Sequence, residues 1–156
     1  MEFIYESPIG GLLLTYDDQF ITGLHFDREQ KIEGGKNPVL EQCICELDEY
    51  FQGKRQKFTV PLNPIGTDFR LIVWMALRDI PYGELVNYGD IARAISKPKA
   101  PRAVGGANNK NPISIIVPCH RVVGSDRKMV GYGGGIWRKQ WLIEHERKFK
   151  TQPLVD

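Results

Sequence analysis

Cysteine is scarce in this chain, and long apolar runs are missing from it. Three cysteines, an odd number, stand without a recognisable secretion signal behind Met1-Glu2. That argues against a disulfide framework and for reduced thiols in an intracellular, cytoplasmic protein. No stretch approaches the ~20 consecutive apolar residues of a membrane helix, so no membrane partner is expected. Repeats and low-complexity tracts are also absent. Charge of one sign is lacking as well, since 21 Lys and Arg against 19 Asp and Glu give +2. That near balance hides a gradient. Residues 1 to 63 hold 6 basic and 11 acidic side chains, net −5, whereas residues 64 to 156 hold 15 and 8, net +7. Such an asymmetry suits a polyanion partner for the basic part, or is an uneven spread of solvated charge.

What is present is the composition of a globular protein, 42% apolar and 26% charged over 156 residues, enough for one full core or a small domain packed on a larger one. Phe3 to Glu6, Gly11 to Tyr16 and Phe20 to Phe26 read as short strands of a small antiparallel sheet, separated by turn residues. Lys31 to Pro38 reads as a loop. Leu40, Cys43, Ile44, Leu47 and Tyr50 then recur at helical spacing over Val39 to Phe51, a helix that Gly53 ends. Phe58 to Pro64 reads as an extended crossing, which places a boundary near residue 63 and divides the chain into an N-terminal α/β domain, 1–63, and a C-terminal domain, 64–156.

In the second part Thr67 is the N-cap of a helix over Phe69 to Leu77 that Pro81 stops. Asn87-Tyr88-Gly89-Asp90 reads as a capping box opening a second helix, and Lys99 to Asn109 as a third, with Pro101 in its first turn. The last two have the outline of a helix-turn-helix. Two interior glycines, Gly105 and Gly106, cost roughly 1 kcal/mol each relative to alanine. They share a face with Arg102 and Asn109. That face packs tightly on a neighbouring helix or fits a nucleic acid groove. In the final helix, Ile136 to about Arg147, the wheel gathers Ile136, Trp137, Leu142 and Ile143 on one arc with Glu146 among them. A carboxylate there requires a partner or a shifted pKa.

The chain is organised around Asn111-Pro112-Ile113-Ser114-Ile115-Ile116-Val117-Pro118-Cys119-His120-Arg121. Ile113 to Val117 reads as a buried strand that Pro118 ends, delivering Cys119 at a rigid strand end. His120 and Arg121 follow directly, and cationic or hydrogen-bonding neighbours favour the nucleophilic thiolate. A free cysteine is also commonly a small buried apolar residue, but prolines, an asparagine and basic flanks suit a positioned side chain better. Gly131-Tyr132-Gly133-Gly134-Gly135 reads as a flap over a ligand or as a solvent loop.

These blocks resemble the O6-alkylguanine-DNA alkyltransferases, also called methylated-DNA-protein-cysteine methyltransferases. The likeness runs through Ile80-Pro81-Tyr82-Gly83-Glu84, Asn87 to Ala92, Arg102 to Ala107, Asn111-Pro112, Pro118 to Val123, Gly131-Tyr132 and Leu142 to Glu146, and more loosely through the N-terminal part. It implies an α+β architecture, a small ribonuclease H-like N-terminal domain packed on a mainly helical C-terminal domain with a helix-turn-helix. It also implies a suicide reaction in which Cys119 takes the alkyl group from O6-alkylguanine by SN2 displacement after the base is flipped out of the duplex. His120 acts on the cysteine through a water, Glu146 orients His120, Tyr88 donates to the base ring, and Asn111 ties the turn before the cysteine. Arg102 fills the vacated place in the stack. Ala103, Gly105, Gly106, Asn109 and Tyr88 lie against the minor groove of double-stranded DNA. Pro118, Val122, Tyr132, Gly133 and Trp74 form the substrate pocket.

The same resemblance implies no cofactor, a monomer, and a place on the nucleoid of a prokaryote or in a eukaryotic nucleus. Gly133 stands where many relatives have serine, Pro101 where alanine is usual and Val130 where glycine is common. Some relatives bind zinc in the N-terminal part, but Cys43 and Cys45 point to nearly opposite faces of their helix, so no metal is expected. A non-catalytic alkylated-base-binding protein is the alternative function, and the presence of Cys119, His120 and Glu146 counts against it. A cysteine hydrolase lacks an evident oxyanion hole.

Overall fold

The computed structural model describes residues 1–26, 36–124, 132 and 134–150. Strands β1 (Glu2–Ser7), β2 (Gly10–Tyr16) and β3 (Ile21–Phe26) form an antiparallel sheet in that order. Ser7 pairs with Gly10 across the first turn, where Gly10 sits at φ +104°, a left-handed conformation that glycine adopts freely. Leu12, Leu14 and Tyr16 alternate with less buried residues, so one face of the sheet is buried. Helix α1 (Pro38–Phe51) supplies its apolar stripe, Leu40, Cys43, Leu47 and Tyr50, to the same core. Its cap went unread in the sequence: the Asn37 side chain accepts from the Leu40 N–H at 2.9 Å with Pro38 at the first helical position. Cys43 is buried and Cys45 exposed, as their spacing on a helix requires.

The crossing between the two parts is tied down at both ends. Glu46 of α1 accepts from the Thr59 and Val60 N–H groups at 2.8 and 3.1 Å and from the Thr59 hydroxyl at 2.8 Å. Further on, Ile21 bridges in parallel to Leu62, its N–H donating to Pro61 O and its carbonyl accepting from Asn63 N–H, both at 2.9 Å. The far end of β3 bridges to Ile113, with Leu24 N–H donating to Pro112 and Ser114 N–H to Leu24. A strand of the N-terminal sheet therefore holds the loop that leads to Cys119.

The C-terminal part contains α2 (Asp68–Arg78), α3 (Tyr88–Ala94), α4 (Pro101–Asn109) and α5 (Ile136–Phe149), with two-residue strands β4 (Val86–Asn87) and β5 (Val122–Val123) paired in parallel. Thr67 caps α2, and Asn87 with Asp90 forms the full capping box of α3. α4 starts at Pro101, two residues later than expected.

Two expectations fail. Ile113 to Val117 is a tight turn rather than a strand: Ile116 N–H donates to Ser114 and Val117 N–H to Ile113, and Ile115 sits at φ +72°. A short run of β-branched residues only reports burial, and here Ile113, Ile115, Ile116 and Val117 are all buried without a ladder. The second failure is the buried arc of α5. Ile136 and Trp137 are 45% and 54% exposed, whereas Lys139, Leu142, Ile143, His145 and Glu146 are buried. Ionisable residues share the inner face with Leu142 and Ile143.

Candidate active site

Pro118 precedes a 3-10 helix, Cys119–Arg121, whose three side chains are all buried. The turn before it is held by Asn111: the side-chain N–H₂ donates to Val117 O at 2.8 Å and Oδ1 accepts from Ile113 N–H at 3.0 Å. That pair of bonds offsets part of the cost of the left-handed Ile115, of order 1–3 kcal/mol. The thiol is thus placed by a strained turn with a buried amide across it.

Cys119 lies on the wall of a cavity of about 340 Å³, which Asn108, Asn111 and Ser114 line together with His25, Phe26 and Tyr132. Burial pushes the thiol above its ordinary pKa, and Asn111, Lys139 and Ser114 pull the other way. His120 and Arg121, the neighbours in sequence expected to favour the thiolate, do not appear among those influences. Both side chains turn to Glu146 instead. The resting cysteine is a protonated thiol and needs a base.

His120 Nε2 lies 2.6 Å from Glu146 Oε2, with both side chains buried. Arg121 Nε donates to Oε1 at 2.8 Å and Nη2 to Oε2 at 3.1 Å, while Nη1 donates to Ile80 O at 2.7 Å. Gly83 N–H adds a bond to Oε1 at 3.2 Å, and the Tyr50 hydroxyl adds one to Oε2 at 2.6 Å. Burial alone would raise the Glu146 pKa, but His120 and Arg121 outweigh it and hold the carboxyl well below its usual range. A carboxylate so held fixes the imidazole tautomer: Nε2–H donates to Oε2, and Nδ1 keeps its lone pair. Nδ1 makes no hydrogen bond to any protein group among the described residues. Burial lowers the His120 pKa, against the pull of Glu146, so the ring rests neutral.

The other expected residues fall into three groups. Tyr88 opens α3, and burial, then the Cys119 charge, raises its pKa. Val122 is buried on β5 directly after the 3-10 helix. Arg102, Ala103, Gly106 and Asn109 line the exposed face of α4. Gly105 accommodates the Tyr88 ring, which an added Cβ would meet at 3.7 Å, and a Cβ on Gly106 would meet nothing within 4 Å. Packing on a neighbouring helix therefore does not account for Gly106.

Trp74 and Pro118, also expected in the pocket, are not on the wall of this cavity. Trp74 is buried under α4, its indole N–H donating to Ala107 O at 2.8 Å, where it fastens α2 to α4. Pro118 lines a second cavity with Lys57, Tyr82 and Arg121. Of the flap, Tyr132 reaches the Cys119 cavity and packs on Phe26 at 5.6 Å. Gly131, Gly133 and Val130 lie outside the described residues. Gly134 has a local reason: a Cβ there would stand 2.5 Å from the Phe26 ring.

Reading the sequence missed His25, Asn108 and Ser114 in the cavity, Tyr50 on Glu146, and Lys139. Lys139 is fully buried; burial lowers its pKa and the Cys119 charge raises it. Its seven-residue spacing from Glu146 on one helix was the available signal, because two turns return to the same face.

Comparison with known proteins agrees along the whole chain. The family model described as 6-O-methylguanine DNA methyltransferase, DNA binding domain, matches residues 68–148, and the model described as its ribonuclease-like domain matches residues 2–64. A methylated-DNA--protein-cysteine methyltransferase of Haemophilus influenzae is 45% identical over 150 residues, covering 92% of this chain and 84% of that protein. One from Methanosarcina acetivorans is 46% identical, covering 92% and 96%. Among solved structures, the Mycobacterium tuberculosis O6-methylguanine methyltransferase superposes with a TM-score of 0.88 at 43% identity, covering 98% and 96% of the two chains. The M. tuberculosis OGT in complex with DNA superposes with a TM-score of 0.86 at 44% identity, covering 95% and 93%.

Proposed function

The chain belongs to the 6-O-methylguanine DNA methyltransferase family, and from that premise we propose that Cys119 is the residue that accepts the alkyl group, with His120, Glu146, Tyr88 and Asn111 as its supporting residues. DNA repair by alkyl transfer to a protein cysteine is the activity of this enzyme. The observation that carries the residue assignment is the buried His120 to Glu146 contact of 2.6 Å, directly behind a protonated thiol on a cavity wall.

The thiol proton passes through a water to His120 Nδ1, and Glu146 stabilises the imidazolium that forms. The sulfur then attacks the alkyl carbon from the side opposite O6. An S–C bond forms as the C–O6 bond breaks, and its electron pair moves into the purine. Guanine leaves poorly as an anion, so Tyr88 gives its phenolic proton to the ring as the charge develops, and the Tyr88 phenolate and the His120 imidazolium return to their resting forms by proton exchange through solvent. The product is a thioether, and no thiol is regenerated. One molecule acts once.

DNA binding is assigned to the face of α4. Arg102 occupies the gap left by the flipped base, while Ala103, Gly105, Gly106 and Asn109 approach the minor groove closely. The minor groove carries little sequence information, which suits repair at any sequence. Tyr132, Gly133 and Val122 close on the base. The division into residues 1–63 and 64–156, a monomer acting on double-stranded DNA, and a location in the cytoplasm on the nucleoid complete the proposal; the relatives compared are bacterial and archaeal, and among the described residues no helix is long and apolar enough to cross a membrane.

Cys119→Ser tests the nucleophile. It should abolish transfer while duplex affinity stays within a few fold, since binding rests on the basic surface and α4. Alkyl uptake by this variant would reject Cys119. Tight binding of alkylated DNA by the unaltered protein with no transfer would favour a base-binding function instead.

A further inference from the structure

Tyr50 belongs to α1, in the N-terminal part, and entered the sequence analysis only as one apolar position of a helix. It is fully buried among rings, with Phe51, Phe58, Tyr82 and His145 centred 5.2 to 6.2 Å away. Packing there asks for a ring, and Phe51 and Phe58 show that a plain one suits the cluster. The hydroxyl needs a different reason. It donates at 2.6 Å to Glu146 Oε2, the same oxygen that lies 2.6 Å from His120 Nε2. Its backbone carbonyl accepts from His145 Nε2 at 2.7 Å, which pins α1 to α5 one residue before Glu146.

We infer that Tyr50 is a positioning residue of the alkyl-transfer site: its hydroxyl holds Glu146 Oε2 in place and takes up part of the negative charge that this oxygen would otherwise direct at His120. The inference rests on the assignment of Cys119 and His120 above. A hydrogen bond to an ionised acceptor is stronger than one between neutral groups, and Tyr50, His120 and Arg121 Nη2 compete for the charge of this one oxygen. In a sealed core no water takes the place of any of them. The N-terminal part thus sets the strength of the base in the C-terminal part.

The surrounding groups leave this role to Tyr50. Glu146 is faced by Tyr82 from the loop after α2, by His120 and Arg121 from the 3-10 helix, by Tyr132, and by His145 of its own helix. His120 is faced by Glu146, Arg121 and Lys139. The Tyr82 hydroxyl, though buried nearby, makes no hydrogen bond among the described residues. Arg121 remains charged throughout the accessible pH range. Tyr50 is therefore the neutral donor whose removal changes the charge on Oε2 without removing a charge from the site.

Tyr50→Phe keeps the ring and deletes that donor. The freed charge on Oε2 favours the imidazolium, so the acid limb of the pH–rate profile for free O6-benzylguanine should move to higher pH by about half a unit or more. The titration midpoint of His120, followed by NMR in the full-length protein with labelled histidine, should move the same way. A His120 midpoint that is unchanged or lower in Tyr50→Phe overturns the inference, even if the variant melts at a lower temperature. The NMR titration does not depend on alkyl transfer. If the unaltered protein takes up no benzyl group, the assignment of Cys119 fails separately.

Discussion

Glu146 is open to two readings, a structural ion pair or an orienting partner for His120, and its contacts include the partner each reading needs. One carboxylate accepts from Arg121 twice, from Gly83 and from Tyr50, and also meets His120. Glu146→Gln removes the charge that stabilises the imidazolium and leaves Arg121 buried without its counter-charge. The variant should lose about 3 kcal/mol of stability or more, the usual cost of breaking a buried pair. It should also react slowly at neutral pH and recover at higher pH, where Cys119 loses its proton to solvent rather than to His120. Reaction with free O6-benzylguanine across pH, measured beside thermal unfolding, separates the two effects. A lower melting temperature with an unchanged pH profile would leave Glu146 with the structural role alone. At this scale the buried carboxylate of Glu146 and its need for a partner were legible because it broke the apolar pattern around it. Tyr50 and Lys139 were not, because a tyrosine at a helical apolar position and a lysine in a basic run look ordinary until the tertiary fold places them.

At the level of elements, local chemistry was readable where it is self-contained. The caps Thr67 and Asn87, Pro101 opening α4, and the period of α1 all depend on residues within a few positions. The turn at Ile113 to Val117 was misread because its conformation depends on Asn111 and on β3, which sequence spacing does not reveal. The burial of α5 was misread because Lys139, His145 and Glu146 share its inner face with Leu142 and Ile143, which an apolar wheel does not anticipate. Helix α4 yields a direct test. A Cβ on Gly106 meets nothing within 4 Å, so Gly106→Ala should raise the melting stability by up to about 1 kcal/mol through helix propensity. The same methyl group should weaken binding to duplex DNA if this face lies against the minor groove. Stability gained with duplex affinity unchanged would remove Gly106 from the interface.

The whole molecule couples its two parts through the buried acid. The folded pKa of Glu146 is depressed, so its contribution is present above the unfolded carboxyl value and lost as pH falls below it. Burial lowers His120 and His145 from the ordinary histidine value of 6.5, so the unfolded chain binds their protons first as pH falls below that value. The three groups act in the same direction. Thermal stability should therefore decline from near pH 6.5 downward and fall faster once unfolded carboxylates begin to protonate. A flat profile between pH 7 and 5 would mean that the histidines are not held neutral in the folded protein.

The central claim is that this chain repairs O6-alkylguanine by keeping the alkyl group on Cys119. Its most direct test is the mass of the intact protein after exposure to a duplex carrying one O6-methylguanine, followed by peptide mapping. The account predicts a single methyl group on the Cys119 sulfur in place of the thiol proton, in a stoichiometry that stops at one per molecule, with unmodified guanine left in the DNA. A methyl group on Cys45 or Cys43, or methylated DNA left intact by an unmodified protein, would contradict it.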